Sequence, residues 1–295
     1  MSLKDLVKRV LPAAALERIG RARQKSRQAR LSSLPLLDEN SFRKILVNEL
    51  GLTRGDCIFV HSSIDRLNLG FPFYLVLSIM QEVLGEEGTL LFPTYPKTSS
   101  YEFLSRGEVF DVRKTPSYTG ILTEFARRQP NALRSLHPTK SVCATGPRAL
   151  ELTSTHQLSP YPYDAESPYY KIIEARGKIV GLGVSTANLS FVHCVDDALK
   201  EDFPVEPYHP QLFSARCINY QGQVEVVETY AHDLRKMNHH IPRYMKAYVP
   251  VEACLDLEID GMKFFRADAG KLFEAMLELA KKGKTIYARS AYRKS

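Results

Sequence analysis

The chain has no tryptophan, and its five cysteines (Cys57, Cys143, Cys194, Cys217, Cys254) stand singly. An odd number without C-x-x-C spacing argues against a disulfide framework and a cysteine-based zinc site, so no metal centre is expected. Three of the five lie in strand-like runs and read as small core residues. No apolar run approaches the roughly 20 residues that span a bilayer, and no signal-peptide apolar segment follows the start; a cytoplasmic location is expected. Neither G-x-x-x-x-G-K-[ST] nor G-x-G-x-x-G occurs, which argues against an ordinary mononucleotide or NAD site. There is no internal repeat.

What is present is the composition of a soluble globular protein, 44% hydrophobic and 25% charged over 295 residues, enough for a substantial core. The net charge of +7 is unevenly placed. Residues 1–30 hold nine Lys/Arg against Asp5 and Glu17; removing them from chain totals of 40 basic and 33 acidic residues leaves 31 of each sign. The basic character therefore belongs to the leader. Leu3, Leu6, Val7, Val10 and Leu11 form a stripe of helical period beside Lys4, Lys8 and Arg9. Two readings stand side by side: an arm lying on an anionic membrane surface, and a solvated or subunit-packing extension. Nucleic acid is not expected, because the basic run lacks interleaved aromatics. Residues 1–40 are read as a basic extension and 41–295 as the globular domain.

The stretch 181–201, GLGVSTANLSFVHCVDDALKE, organises that domain. It begins as a buried strand, turns through Ser185, Thr186 and Asn188, and then spaces Phe191, Val195 and Leu199 as an amphipathic helix that Asn188 would cap. His193 falls within two turns of the helix start, with Asp196 and Asp197 three and four residues on, within side-chain reach. A carboxylate there would orient the imidazole, the side chain best suited to removing a proton near neutral pH. The bland alternative is a surface ion pair.

Along the rest of the domain, Ser41 would cap a helix over 41–50, and 56–60 is a buried strand running into His61-Ser62-Ser63. Pro72 opens a second helix, TLLFP a second strand, and 94–117 reads as a long loop. Thr119-Gly120 starts a further helix, and Arg134 to Pro138 precedes another strand. Past Asp202 two hairpins follow, one turning at Asp260-Gly261, and then a helix over 268–281. The fold class is α/β: a mixed-sheet body with flanking helices and C-terminal antiparallel hairpins. His61-Ser62-Ser63, the 134–138 segment and His193 all follow strand ends, where ligands gather in open α/β sheets, and one shared cleft is expected.

Six segments carry a resemblance: GDCIFVHSSIDRLNLG (55–70), EEGTLLFPTYP (86–96), PSYTGILTEFARR (116–128), RSLHPTKSVCATG (134–146), ESPYYKIIEARGKIVGLGV (166–184) and SFVHCVDD (190–197). In this order and spacing the chain resembles the aminoglycoside 3-N-acetyltransferases, the antibiotic N-acetyltransferase family. The resemblance implies acetyl transfer from acetyl-CoA to a primary amine of a sugar. It puts His61, Ser62 and Ser63 on the CoA side, where Thr119 and Gly120 at a helix start also suit the cofactor. It makes His193 the general base, with an acidic residue holding the ring. The family's usual glutamate is here Asp196, one methylene shorter, so Asp196 and Asp197 both remain candidates. His137 either lines the site or holds its turn. Cys194 as a covalent acyl carrier is disfavoured, because adjacent helical residues do not share a face.

For the acceptor, polycationic aminoglycosides call for carboxylates, and the neutral body offers no such bias. A nucleotide-linked amino sugar for surface-glycan synthesis is therefore expected ahead of an aminoglycoside, with a non-catalytic scaffold as a third reading. Arg134, Lys140, Lys171 and Tyr161, Tyr163, Tyr169 and Tyr170 are candidates near the cleft.

Overall fold

The computed structural model describes residues 29–237 and 240–287, with residues 15, 18, 22, 25 and 26. Most of the basic leader, and with it the membrane-arm reading, lies outside the described residues. Packing on the domain reaches back past position 41: Leu31 and Leu37 are buried, and the Asn68 amide donates to the Leu34 carbonyl at 2.8 Å. Helix α1 (Glu39–Lys44) is capped by Asp38, whose side chain accepts from the Ser41 amide at 2.7 Å, so the cap lies three residues before the expected Ser41.

A seven-stranded sheet has the order β4-β5-β2-β1-β6-β10-β9. At its centre β1 (Cys57–Ser62) runs parallel to β2 (Thr89–Pro93) on one side and β6 (Lys178–Leu182) on the other. Buried on both faces, these strands are near-continuous apolar runs. Cys57 and Phe59 enter one core, with helices α6 (Pro168–Glu174), α7 (Cys194–Leu199) and α9 (Ala269–Lys281). Ile58 and Val60 enter the other, with α1, α2 (Leu75–Leu84) and α4 (Ile121–Arg127). Antiparallel strands close both flanks: β4 (Leu133–Arg134) and β5 (Val142–Thr145) beside β2, and the hairpin β9 (Cys254–Ile259) and β10 (Met262–Asp268) beside β6. Asp260 and Gly261 both take positive φ, 51° and 76°, as the tight turn requires.

The 94–117 stretch is not a plain loop: it contains α3 (Ser100–Ser105) and β3 (Phe110–Asp111). Strand β3 joins β7 (Tyr208–Ile218) and β8 (Val224–His232) in a separate three-stranded sheet. Tyr208 pairs with His232 at the end of that hairpin. Among the described residues no helix is long and apolar enough to cross a membrane.

Candidate active site

Because β1 lies between β2 and β6, with connections leaving to opposite sides, the C-terminal ends of the three parallel strands frame a crevice. A cavity of ≈ 700 Å³ fills it, lined by His61, Ser62, Ser63 and Arg66 after β1, Pro93 and Tyr95 at the end of β2, Thr119 and Gly120, and Asn188 and Ser190 beyond β6. The backbone here is tightly built. Gly183, at φ 71°, would carry a Cβ only 2.4 Å from the Ser63 carbonyl oxygen, so the β6 exit and the Ser63 turn fit only around glycine. His61 Nε2 and Ser62 Oγ are buried without a hydrogen-bond partner among the described residues. Two such orphans lining one cavity mark a place where a polar ligand would satisfy them. Burial alone holds the His61 imidazole down to about 3. The Thr119 hydroxyl, by contrast, donates to the Pro93 carbonyl and is bonded to the Ser117 and Thr123 hydroxyls at 2.8 and 3.0 Å, so it shapes the wall. The Ser63 hydroxyl donates to Asp65.

The segment after β6 does not form the expected continuous helix. Asp256 accepts from both the amide and hydroxyl of Thr186, at 2.8 and 2.6 Å, and two tight 3₁₀ turns, Thr186–Asn188 and Ser190–His193, precede α7. Asn188 is therefore no cap, and His193 itself occupies the position before the first residue of α7. The relation of His193 to Asp196 survives, because it spans only the first turn. His193 Nδ1 lies 2.8 Å from Asp196 Oδ2, the two residues being 5% and 3% exposed. Burial holds the imidazole down to about 3 and pushes the Asp196 carboxyl up, so charge on either is costly. Asp196 Oδ2 also accepts from the Tyr287 phenol. With Nδ1–H assigned as donor to this carboxylate, Nε2 carries the lone pair.

Asp197 has a different task. Its carboxylate accepts from the Tyr163 amide and the Tyr208 hydroxyl, both at 2.7 Å, tying the 159–163 loop and β7 to α7. Of the two candidate carboxylates, only Asp196 meets the ring. Tyr163, His232 and Tyr287 surround the imidazole, at centroid distances of 5.2, 4.7 and 6.4 Å.

Other expected positions lie elsewhere. His137 is fully buried: Nδ1 accepts from the Thr139 and Lys140 amides at 3.3 and 3.0 Å, and Nε2 is 3.2 Å from the Thr229 hydroxyl. Both ring nitrogens are consumed, so it holds its turn. Arg134 is buried too, donating to Thr94, Ser141 and the Thr115 carbonyl and lying over Phe110, which clamps the 94–117 stretch to β4 and β5. The third strand-end cluster therefore does not join the cleft. Lys171 donates to the Glu151 carbonyl at 3.1 Å, and Tyr170 packs edge-on against Phe273. Tyr169 is buried with its hydroxyl 2.5 Å from that of Tyr95. The Cys194 thiol is buried and pushed up by desolvation, the opposite of an activated nucleophile.

A second cavity, of ≈ 230 Å³, opens beside Asp196. Its lining includes Tyr161, Tyr208 and Tyr230 together with Glu201, Glu206 and Lys200. Asn188 and Ser190 thus line the larger cavity and Asp196 the smaller, with His193 between them on one segment. The imidazole itself lines neither.

The molecule is thus an α/β protein with a strand-end crevice and a buried His–Asp pair beside a pocket that two glutamates line. The family model described as aminoglycoside 3-N-acetyltransferase matches residues 59–280, and the chain belongs to that family. Aminoglycoside N(3)-acetyltransferase VII of Streptomyces paromomycinus is 29% identical over 160 residues, 49% of this chain and 55% of that protein. The chain spans about half the length of the curated relatives it matches. The fold matches the solved structures of aminoglycoside acetyltransferase AAC(3)-Xa (TM-score 0.71, 18% identity, 89% of this chain and 98% of that one) and of AAC-IIIb binary with CoASH (0.68, 20%, 85% and 98%).

These findings overturn the nucleotide-linked sugar as acceptor. That expectation came from whole-chain charge, and a neutral average conceals a local excess of carboxylates. Glu201, Glu206 and Asp196 line one cavity with Lys200, whose ammonium lies 5.0 Å over the Tyr161 ring, and Glu206 is also 3.7 Å from the Lys236 ammonium. Tyr287, His232, Tyr95 and the two glutamates were not anticipated. Tyr95 and Glu201 lie within stretches already singled out, 86–96 and 181–201, but nothing in those patterns marks them as site residues; Glu206, His232 and Tyr287 lie in no motif.

Proposed function

We propose that this chain transfers the acetyl group of acetyl-CoA to an amine of an aminoglycoside, with His193 as general base and Asp196 as its orienting carboxylate. The observation that carries the reading is the buried His193–Asp196 contact at 2.8 Å, on a segment that borders both cavities. The larger cavity is the donor site: the orphaned His61 Nε2 and Ser62 Oγ suit the amide groups of a pantetheine arm. Arg66 also borders an adjoining groove with Arg30 and Lys263, which would favour the phosphates. The acidic, tyrosine-lined cavity is the acceptor site, where carboxylates offset the charges of a polyamine.

The amine nitrogen must lose a proton to attack the thioester carbonyl. Burial keeps the imidazole neutral near pH 7, and Nε2 takes that proton through a bridging water, since the ring lines neither cavity. The imidazolium formed is held by Asp196. The carbon–sulfur bond then breaks, and the departing thiolate takes the proton back from the His193 imidazolium through water, giving the N-acetylated sugar, free CoA thiol and a neutral imidazole. Thiol release from acetyl-CoA with a panel of aminoglycosides and simple amino sugars tests the reading. Turnover with an aminoglycoside that disappears in folded His193→Ala supports it; no amine-dependent thiol release from folded protein refutes it and leaves a scaffold role on the same fold.

A further inference from the structure

Tyr287 lies beyond α9 and outside the residues matched by the family model, yet it reaches the centre of the site. Its phenol donates to Asp196 Oδ2 and stands 3.2 Å from His193 Nδ1. The residue is 5% exposed, set edge-on against Phe203 at 5.9 Å, with its neighbour Ile286 in the main core cluster. The segment carrying it is therefore packed in place.

We infer that Tyr287 is a positioning residue: its phenol fixes the Asp196 carboxylate and limits that oxygen's basicity, so a segment outside the shared family region sets how strongly His193 holds a proton. This rests on His193 acting as the base. One oxygen, Oδ2, accepts from two donors, Nδ1–H and the phenol, and each weakens the other's share. Burial and the neighbouring Asp196 push the Tyr287 phenol up, so it remains a donor throughout an enzyme's working range. Removing it gives the carboxylate wholly to Nδ1–H and strengthens that bond. Among the described residues, the other groups facing the pair include Tyr163 from its loop, His232 from β8, Lys140 from the turn before β5, and Asp197, whose oxygens are bonded to the Tyr163 amide and the Tyr208 hydroxyl.

The test is proton NMR of the ¹⁵N-histidine-labelled full chain without substrate, with the His193 Nδ1–H resonance identified by its loss in His193→Gln. In Tyr287→Phe the resonance is expected to move downfield. Replacing Tyr287 by a fluorotyrosine, a stronger donor of nearly the same size, is expected to move it upfield; this covers the case in which the phenylalanine variant does not fold. In thiol release by Tyr287→Phe the KM for acetyl-CoA is expected to hold, since Tyr287 does not line the donor cavity. A resonance that stays put in both variants, or the absence of any such downfield signal from wild type, overturns the inference and leaves Tyr287 as packing. Shifts as expected in a protein that acetylates no aminoglycoside would instead sink the proposed function and leave this contact standing.

Discussion

Asp196→Asn is the substitution whose consequences follow most directly from the geometry. The side chain keeps its size, so the buried surroundings barely change, but the acceptor for Nδ1–H becomes a neutral amide. As the amine proton arrives on His193, the wild-type ring becomes an imidazolium 2.8 Å from a carboxylate; in the variant it faces a dipole. A hydrogen bond to a charged group contributes about 1.5–3 kcal/mol, roughly twice the neutral one that the variant keeps, so the loss confined to the transition state is the difference, about 0.8–1.5 kcal/mol. At about 1.36 kcal/mol per factor of ten, kcat falls roughly 4- to 13-fold. The assay is thiol release from acetyl-CoA at saturating aminoglycoside near neutral pH, with binding of CoA measured separately and expected to be unchanged. A variant within threefold of wild type, with intact fold, would refute the assignment of Asp196. So would an equal loss of CoA binding, which would mean that the substitution had deformed the donor cavity.

Asp197→Asn tests the division of labour between the two carboxylates. It turns an amide donor toward one of two buried donors, so the urea midpoint is expected to fall by the equivalent of about 1–3 kcal/mol, and activity lost at neutral pH should track unfolding. Gly183→Ala places a side chain at positive φ and against the Ser63 carbonyl, so a loss of more than about 1 kcal/mol is expected together with a raised KM for acetyl-CoA; destabilisation with an unchanged KM would mean that the β6 exit plays no part in the donor site. Glu201→Gln with Glu206→Gln removes two partly solvated charges at roughly 0.2–1 kcal/mol each, so the KM of a polycationic acceptor should rise about two- to thirtyfold, less at high salt, while that of acetyl-CoA stays. For pH dependence, burial holds His156 down to about 3, so the unfolded chain binds the extra proton below about pH 6.5. This stabilising contribution is complete above pH 6.5 and is lost as pH falls. Relative to wild type, His156→Gln should therefore gain about 1.4 kcal/mol per pH unit below that point, and a constant difference in urea unfolding would contradict the buried neutral ring.

The sequence alone determined the parts of this protein whose signals are local. Continuous apolar runs give β1, β2 and β6, the Asp260-Gly261 turn gives the last hairpin, and an i, i+3 pair on one helical turn survives even where the helix begins later than its periodicity suggests. The cap of α1 and the elements within 94–117 escaped because elements of two to six residues carry too little periodicity to separate them from loop. Tertiary structure alone decided which polar residues meet. His137 and Arg134 have the chemistry of a site and spend it on backbone carbonyls, amides and hydroxyls. Tyr287 and His232 show no motif, yet they enclose the imidazole. The acidity of the smaller cavity, invisible in a neutral total, exists only once the chain beyond α7 folds back along β7 and β8. Electrostatic and hydrogen-bonding energies depend on distance in space and on burial, and a sequence specifies those only through the whole of its packing.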